Sequence, residues 1–190
     1  MARQYKLKAR ADKRDDTRQR IVDAAIELHQ TIGPRATSVS DVARRANVGR
    51  VTVYRHFPDE LSLARACSGR YFERNPAPDP ERWLEVSDAS ERLRIALTDV
   101  YGYHRATQAM IAHVLSDARD HEVMKPYHAY WQHATGVLLR PWPARGRARR
   151  LLRAAIALAL SFDTWRSLTH DGGLTDEQAV EVALRLTSLG

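Results

Sequence analysis

Two short helical segments joined by a tight turn lie between residues 38 and 57, in the sequence SVSDVARRANVGRVTVYRHF. Ser38 is a good helix N-cap, and Asp41 three positions later favours the positive end of the helix. The turn follows at residues 47–49, where Asn47 tolerates a left-handed backbone conformation. Two helices joined so closely predict a helix-turn-helix, whose second helix could enter the major groove of DNA.

A longer helix precedes this pair and completes a three-helix block. Its apolar residues recur at the i, i+3, i+4, i+7 spacing of one helix face, at Ile21, Ala24, Ala25 and Leu28. Gly33-Pro34 then ends the helix, because glycine accepts a left-handed C-cap and proline cannot extend the ladder. Three small helices with one shared core are therefore predicted for residues 15–58.

The remainder of the chain also carries helical patterns only. Prolines between residues 76 and 80 predict a loop, and no segment alternates with period two over the length of a strand. We predict an all-α protein of about nine helices, in which residues 59–190 form a second, helical domain. The later helices are expected near 59–74, 88–105, 106–118, 122–139, 146–169 and 175–188.

The net charge of +7 is concentrated at the start of the chain. Residues 1–57 contain 13 Lys/Arg and 6 Asp/Glu, whereas residues 58–190 contain 17 of each. Such an excess suits a polyanionic partner. Residues 1–14 lack apolar periodicity and are predicted to be a flexible basic arm that touches DNA, with a merely solvated tail as the alternative.

Several classes of protein and of site are not expected. The single cysteine, Cys67, excludes an internal disulfide, and no apolar run is long enough to span a bilayer. The N-terminus has no apolar block typical of a secretion signal, so a cytoplasmic location without membrane contact is expected. No phosphate loop, nucleophile elbow, Cys/His pair or dense histidine cluster is present. We therefore expect no catalytic residue, cofactor or metal.

The third helix, about Arg50 to His56, carries the residues best suited to DNA. Arg50 and Thr52, near its N-terminus, could reach base edges, because arginine bonds guanine bidentately and the threonine methyl packs on thymine. Tyr54 and His56 lie later, where contact with the DNA backbone is expected. The alternative is that these two side chains cap a small core. Their spacing in the helix predicts that Val53 and Phe57 face the core of the three-helix block.

The stretch Thr17 to Phe57 resembles the N-terminal DNA-binding domain of the tetracycline-repressor (TetR) family of bacterial regulators, on the residues RIVDAAIELHQTIGPRATSVSDVARRANVGRVTVYRHF. The resemblance implies that Phe57 is a core residue. It also implies that Arg50, Thr52 and Val53 fall among the base-reading positions and that Tyr54 and His56 are phosphate ligands. The DNA-binding set so predicted is Ser38, Arg50, Thr52, Val53, Tyr54, Arg55 and His56.

The chain departs from the family pattern at three positions. Glu60 stands where members often carry a lysine that grips a phosphate, so that contact is expected to be lost. Asn47 replaces the usual turn glycine, and Gly49 replaces the usual serine cap; both suit the geometry.

The remaining two-thirds resemble the family in architecture only. This resemblance implies a homodimer through the last two helices, and a repressor released from a palindromic operator by an unidentified small-molecule effector. A recurring stripe could support the dimer or form an internal core, at Leu152, Ala155, Ile156, Ala159 and Phe162. A binding protein with weakened DNA affinity, a transcriptional activator and, less well supported, a DNA-processing enzyme are the alternatives.

Aromatic and imidazole side chains in the second domain could wall a ligand pocket, although a plain core is the alternative. The candidate ligand-binding residues are Tyr101, Tyr103, His104, Met110, His113, Tyr127, Trp131 and Trp165, with Tyr130, His133 and Trp142 nearby in the pattern.

Overall fold

The computed structural model describes residues 2–187, with side chains described from residue 11 onward. This part of the chain contains helices and no strand, which confirms the all-α prediction. Short 3-10 helices lie at Pro80–Glu85 and Glu122–Met124. The nine α-helices are α1 Ala2–Thr31, α2 Val39–Arg45, α3 Arg50–His56, α4 Glu60–Arg74, α5 Ala89–Ala118, α6 Lys125–Leu139, α7 Gly146–Ala159, α8 Phe162–Arg166 and α9 Asp176–Thr187.

Helix α1 begins much earlier than the sequence pattern predicted. It already includes Ala2, so the segment predicted as a flexible basic arm continues the helix, while Met1 lies outside the described residues. The physical reason is composition. Residues 2–14 contain neither glycine nor proline and are rich in strong helix formers, so nothing interrupts the helix. A contact of this segment with DNA stays a prediction.

Two other helix boundaries differ from the prediction. The segments expected at 88–105 and 106–118 form the single helix α5, since no proline or capping residue separates them. The helix expected at 146–169 is instead interrupted at Ser161. This residue has extended backbone angles, and its hydroxyl accepts from the Thr164 N–H at 3.1 Å to start α8. Helix α8 then continues into a π-helical turn, Ser167–Asp171.

The chain forms two compact units. The first contains Met1–Pro76 together with Ala112–Val123, and the second contains Ala77–Ile111 together with Met124–Gly190. Helix α5 contributes residues to both. Helix α4 belongs with α1–α3 in this division, whereas the sequence pattern assigned it to the second domain. The assignment of DNA binding to residues 15–58 and of ligand binding and dimerisation to 59–190 stays a prediction.

The core of the first unit holds the helix-turn-helix against α1 and α4. Arg20 donates to the Ala46 carbonyl at 3.2 Å and thereby ties α1 to the end of α2. Cys67 of α4 is buried, and burial raises the pKa of its thiol to about 12, so this group is an unreactive core residue. The buried apolar side chains include Ile21, Val22, Ala25, Ile26, Val42, Ala43, Ala46, Val53, Phe57 and Leu63.

The second unit buries polar groups together with their partners. The Trp83 indole donates to Asp99 at 2.9 Å, and the Tyr101 hydroxyl donates to the Ala159 carbonyl at 3.0 Å. Arg92, also buried, donates to the carbonyl of Val86 at 2.6 Å. These bonds fix α5 against its neighbours, because a buried polar group without a partner is costly.

The apolar stripe on α7 and α8 is an internal core in three of its five residues, while Leu152 and Ala155 are half-buried. Ile156, Ala159 and Phe162 are fully buried within the chain, which removes them from any surface between copies. Helix α7 instead exposes Leu151 and Leu158, with 60% and 56% of their surface accessible. The two sets lie on different faces of one helix, and the spacing alone could not say which face the fold would cover.

Candidate functional site

The turn between α2 and α3 is held by its own backbone and caps. Ser38 Oγ accepts from the Asp41 N–H at 3.2 Å, and the Ser38 N–H donates back to the Asp41 carboxylate at 3.1 Å. At the other end, the N–H groups of Asn47 and Val48 donate to the carbonyls of Arg44 and Ala43. This is a Schellman motif, and Asn47 takes the required left-handed conformation with φ 52°. The turn prediction is therefore correct.

Helix α3 is anchored by one buried face. Val53 is only 1% exposed and Phe57 is buried beside it, as their spacing predicted. The Arg18 guanidinium of α1 lies 4.8 Å from the centre of the Phe57 ring, a cation–π contact that adds to the packing. Val53 was also predicted to read bases, and this is wrong, because a side chain enclosed by the core of the unit cannot reach a groove.

The outward face of α3 consists of Arg50, Val51, Tyr54 and Arg55, all exposed. Thr52 and His56 are half-buried beside them, and Arg55 lies 3.5 Å from the Thr52 hydroxyl, so these two side chains share one edge. The helix has no acidic residue. We call Arg50, Val51, Tyr54 and Arg55 the α3 face; it combines two cations, a phenol and one apolar side chain.

Val51 belongs to this face although sequence reasoning missed it. Its side chain is 80% exposed, which is unusual for a valine beside a buried one. Helix geometry could have predicted this exposure. Val51 and Val53 are two residues apart, which is about 200° around the helix, so they cannot both face the core. An exposed methyl group on such a face is suited to the thymine methyl.

His56 is expected to be neutral in the free protein. Partial burial is the main reason that its pKa lies below the usual value, and the positive charges of Arg14, Arg55 and Arg18 lower the pKa further. A neutral imidazole can still donate one N–H to a phosphate. Tyr54, 46% exposed, keeps its hydroxyl accessible as well.

Ser38 and Glu60 flank the α3 face in different ways. The Ser38 hydroxyl donates to Asp41 at 2.5 Å while it caps α2, so its predicted part in DNA binding has to compete with the cap. Glu60 is the exposed first residue of α4, directly after the Asp59 cap. Its carboxylate places a negative charge at the start of that helix.

Several predicted ligand residues do come together in the second unit. The His104 ring is fully buried and lies 5.2 Å from the Trp131 ring, 5.5 Å from Phe162 and 5.9 Å from Trp165, measured between ring centres. Tyr103 lies 6.5 Å from Trp131. We call these five residues the aromatic cluster; it joins α5, α6 and α8. The Tyr101 ring centre lies 6.3 Å from that of His104, and Tyr127 packs edge-on against Trp131. Met110 is buried further along α5.

Other members of the predicted pocket lie elsewhere. His113 belongs to the first unit and faces Gly33, where its Nδ1 would lie 3.2 Å from a Cβ placed on that glycine. It is not part of the aromatic cluster, because α5 is long enough to leave the second unit before this residue, and its contact with a ligand stays a prediction. His133 is exposed and lies 2.9 Å from the Glu81 carboxylate, and the Tyr130 hydroxyl donates to the Pro78 carbonyl at 2.6 Å.

His104 is a neutral imidazole with a fixed tautomer. Its Nε2 lies 2.9 Å from the Leu160 carbonyl, which only accepts, so Nε2 carries the proton. Burial lowers the pKa of His104 to about 4, against the raising effects of that hydrogen bond and of Asp163 and Asp176. Nδ1 is therefore a lone-pair acceptor at neutral pH.

The described residues lack two other features. They contain no group of three or more His, Cys, Asp or Glu side chains that could hold a metal ion. Within the same part of the chain, every helix is too short or too polar to cross a bilayer.

Comparison with known proteins identifies relatives of the first unit. The family model described as "Bacterial regulatory proteins, tetR family" matches residues 21–67. The transcriptional repressor KstR of Mycolicibacterium smegmatis is 36% identical over 78 residues, which are 41% of this chain and 38% of that protein. The regulator YvkB of Bacillus subtilis is 40% identical over 55 residues, 29% of each protein. The chain thus spans less than two-fifths of the length of these curated relatives.

Solved structures share the fold over nearly the whole chain. NalD, the secondary repressor of the MexAB-OprM multidrug efflux pump in Pseudomonas aeruginosa, has a TM-score of 0.60 and 20% identity, covering 93% of this chain and 95% of its own. LfrR from Mycobacterium smegmatis, solved in complex with proflavine, has a TM-score of 0.52 and 24% identity, covering 93% and 97%. At such identities the likeness establishes the fold alone.

Proposed function

Since the chain belongs to the TetR family of bacterial regulatory proteins, we propose that it is a DNA-binding transcriptional repressor that a small-molecule effector releases from a palindromic operator. The observation that carries the proposal is the α3 face. A short helix presents two arginines, a tyrosine and an exposed valine, while its opposite side is locked into a core. Such a helix can enter the major groove without rearrangement.

In this proposal the residues of α3 contact different parts of the DNA. Arg50 and Val51, at the N-terminal end, read base edges, with Thr52 at the margin of the face. Tyr54 and His56 bond phosphates, and Arg55 supplies charge. DNA binding raises the pKa of His56, because a neighbouring phosphate favours the charged imidazole. The basic residues at the start of α1 add phosphate contacts, so removing residues 2–14 reduces the salt dependence of binding.

A palindromic operator requires two copies of the chain, and we assign their contact to α7 and α9. These helices pack against each other. They expose Leu151 and Leu158 of α7 and Leu186 of α9, which are apolar side chains that a second copy would cover. The two α3 helices must then lie about one DNA turn, ~34 Å, apart. Leu158→Glu is expected to convert the dimer to a monomer in sedimentation analysis, and an unchanged dimer would place the interface elsewhere.

The effector is proposed to bind at the aromatic cluster. Its walls combine aromatic rings with a few polar atoms, as small-molecule sites do. An effector can release DNA only by binding more tightly to the DNA-free conformation than to the DNA-bound one. Two proteins of the same fold, LfrR and the multidrug binding protein EbrR, were solved with ring-shaped ligands, proflavine and imidazole.

The direct test uses a fluorescent duplex from the region upstream of the gene for this chain. Binding of the full-length protein is followed by anisotropy at several salt concentrations, with a shuffled duplex of the same composition as control. We expect at least about a thousandfold preference for the upstream duplex over the shuffled one, as specific regulators typically show. Equal affinity for the two duplexes would contradict the proposal.

One alternative is favoured by a specific residue. Glu60 places a carboxylate at the start of α4, beside the expected DNA backbone, where it repels phosphate. A ligand-binding or interaction protein of the same fold with weakened DNA binding is therefore the second candidate. The first candidate, the repressor, implies a cytoplasmic location, because it must reach chromosomal DNA.

A further inference from the structure

Two polar atoms in the aromatic cluster have no partner among the described residues. They are Nδ1 of His104 and Nε1 of Trp131, and both are inaccessible to solvent. Buried polar groups in folded proteins are nearly always hydrogen-bonded, because an unpaired one loses its water without compensation. A water molecule or a ligand is the remaining source of partners.

The two atoms have opposite requirements. His104 Nε2 carries the proton that is donated to the Leu160 carbonyl, so Nδ1 can only accept. The Trp131 indole N–H can only donate. The two rings are in contact, with centres 5.2 Å apart, so one small ligand has the length to present a donor to the first atom and an acceptor to the second.

The charge of such a ligand is restricted by its surroundings. An ion in a buried site needs a counter-charge. Asp176, whose carboxylate accepts from the Trp165 indole at 2.9 Å, is already held by Arg105 at 2.6 and 2.7 Å. The same pair neutralises Arg105, and Asp163, the other carboxylate that acts on His104, is exposed to solvent, so the described residues offer a buried ion no dedicated counter-charge. A neutral molecule avoids this cost.

We propose that the effector is an uncharged ring compound with a hydroxyl or N–H group that donates to His104 Nδ1 and an oxygen or nitrogen atom that accepts from the Trp131 indole. Tyr103, Phe162 and Trp165 supply the aromatic surface for this ring, since they contact Trp131 or His104 at ring-centre distances of 5.5 to 6.5 Å. This inference rests on the proposed function, since it gives the ligand class of the effector site.

The test uses probes that share one ring and differ in one group: phenol, anisole, phenyltrimethylammonium and benzoate. Their dissociation constants for the full-length protein are measured by calorimetry, and the imidazole nitrogens of His104 and the Trp131 indole N–H are followed by NMR. Phenol can donate and accept, whereas anisole only accepts. We expect phenol to bind about tenfold more tightly than anisole and more tightly than phenyltrimethylammonium or benzoate. Phenol should also shift the resonances of both His104 and Trp131.

Variants show whether the two atoms cause the preference. His104→Phe should reduce the phenol-to-anisole ratio to about one, whereas His133→Phe, which changes an exposed imidazole of the same unit, should leave it unchanged. Trp131→Phe should weaken phenol and anisole equally, because both oxygens accept from the indole. If His104→Phe does not fold, the proposal is tested by whether phenol shifts the His104 and Trp131 resonances of the wild-type protein.

The contradicting results are equal affinities for phenol and anisole, tighter binding of either ion, no binding of any probe, or resonances that phenol leaves unchanged. Failure of the proposed function gives a different pattern. If phenol binds as expected but the affinity for the upstream duplex is unaffected by every bound ring compound, then effector release fails and the ligand class stands. If a compound releases DNA without shifting these resonances, then the ligand class fails and the function stands.

Discussion

The α3 face and the aromatic cluster are both candidate binding sites, but the fold builds them in opposite ways. The α3 face consists of four neighbouring residues that remain exposed because the helix is too short to bury more than one side. The aromatic cluster consists of residues from three helices, of which His104, Tyr103, Phe162 and Trp165 are buried and Trp131 is half-buried. A surface site can be altered at little cost in stability, whereas a buried site couples binding to folding. Each prediction below tests that difference.

The largest effect is expected at His104. Its folded-state pKa of about 4 lies below the ordinary 6.5, so the unfolded chain binds a proton more readily between these values. The stability contributed by neutral His104 is complete above pH 6.5 and is lost as pH falls towards 4. Over this window the free energy of unfolding should decrease by roughly 3 kcal/mol through this residue.

The measurement is denaturant unfolding at pH 7, 6, 5 and 4 of the wild type and of His104→Gln. Glutamine can keep a donor for the Leu160 carbonyl but does not titrate. The stability advantage of the wild type over the variant should shrink by up to about 1.4 kcal/mol per pH unit. Parallel pH profiles would show that His104 is not a buried neutral imidazole.

The second prediction compares two valines of α3. Val53→Ala removes buried methyl groups and should lower the free energy of unfolding by about 2 kcal/mol. Val51→Ala changes an exposed side chain and should alter stability by less than about 0.5 kcal/mol while it weakens DNA binding. Urea unfolding measures the stability of both variants, and fluorescence anisotropy measures their DNA affinity. If Val51→Ala proved the more destabilising, the assignment of the two faces would be reversed.

The third prediction separates base reading from phosphate contact. Arg50→Ala should relax preference at one base position by about 1.5 kcal/mol, within the range for a bidentate contact. Tyr54→Phe, which loses only a hydroxyl, should weaken binding to all duplexes alike. Affinities for a set of single-base operator variants provide the measurement. A base-preference profile that Arg50→Ala leaves intact removes this residue from the reading set.

The smallest effect is expected at Glu60. Glu60→Lys replaces a repulsive charge by an attractive one and should raise DNA affinity roughly tenfold at low salt, with a steeper salt dependence. Glu73→Lys makes the same charge change at the exposed far end of α4 and serves as control. Equal gains for the two variants would indicate a general charge effect without a local contact.

The comparison also explains what the sequence could predict. The Ser38 cap, the Asn47 turn and the Gly33 helix end depend on neighbouring residues, so local rules predicted them correctly. The role of Val53 required knowledge of burial, which settled the conflict between its inward spacing and its expected base contact.

The aromatic cluster could be predicted only in part. Composition selected Tyr103, His104, Trp131 and Trp165, but their contacts span more than sixty residues of sequence and depend on how α5, α6 and α8 pack. Composition equally selected His113, which α5 carries into the other unit. The unpaired nitrogens could not be predicted at all, because hydrogen-bond partners are set by tertiary contacts.

The most direct test of the central claim follows the methyl resonances of Val51 and Val53 by NMR as the upstream duplex is added to the full-length protein. The α3 face predicts large shifts and contacts to base protons for Val51, with only small shifts for the buried Val53. A duplex that binds while Val51 remains unperturbed, or that shifts only resonances of the second unit, would contradict the assignment of α3 as the DNA-reading helix.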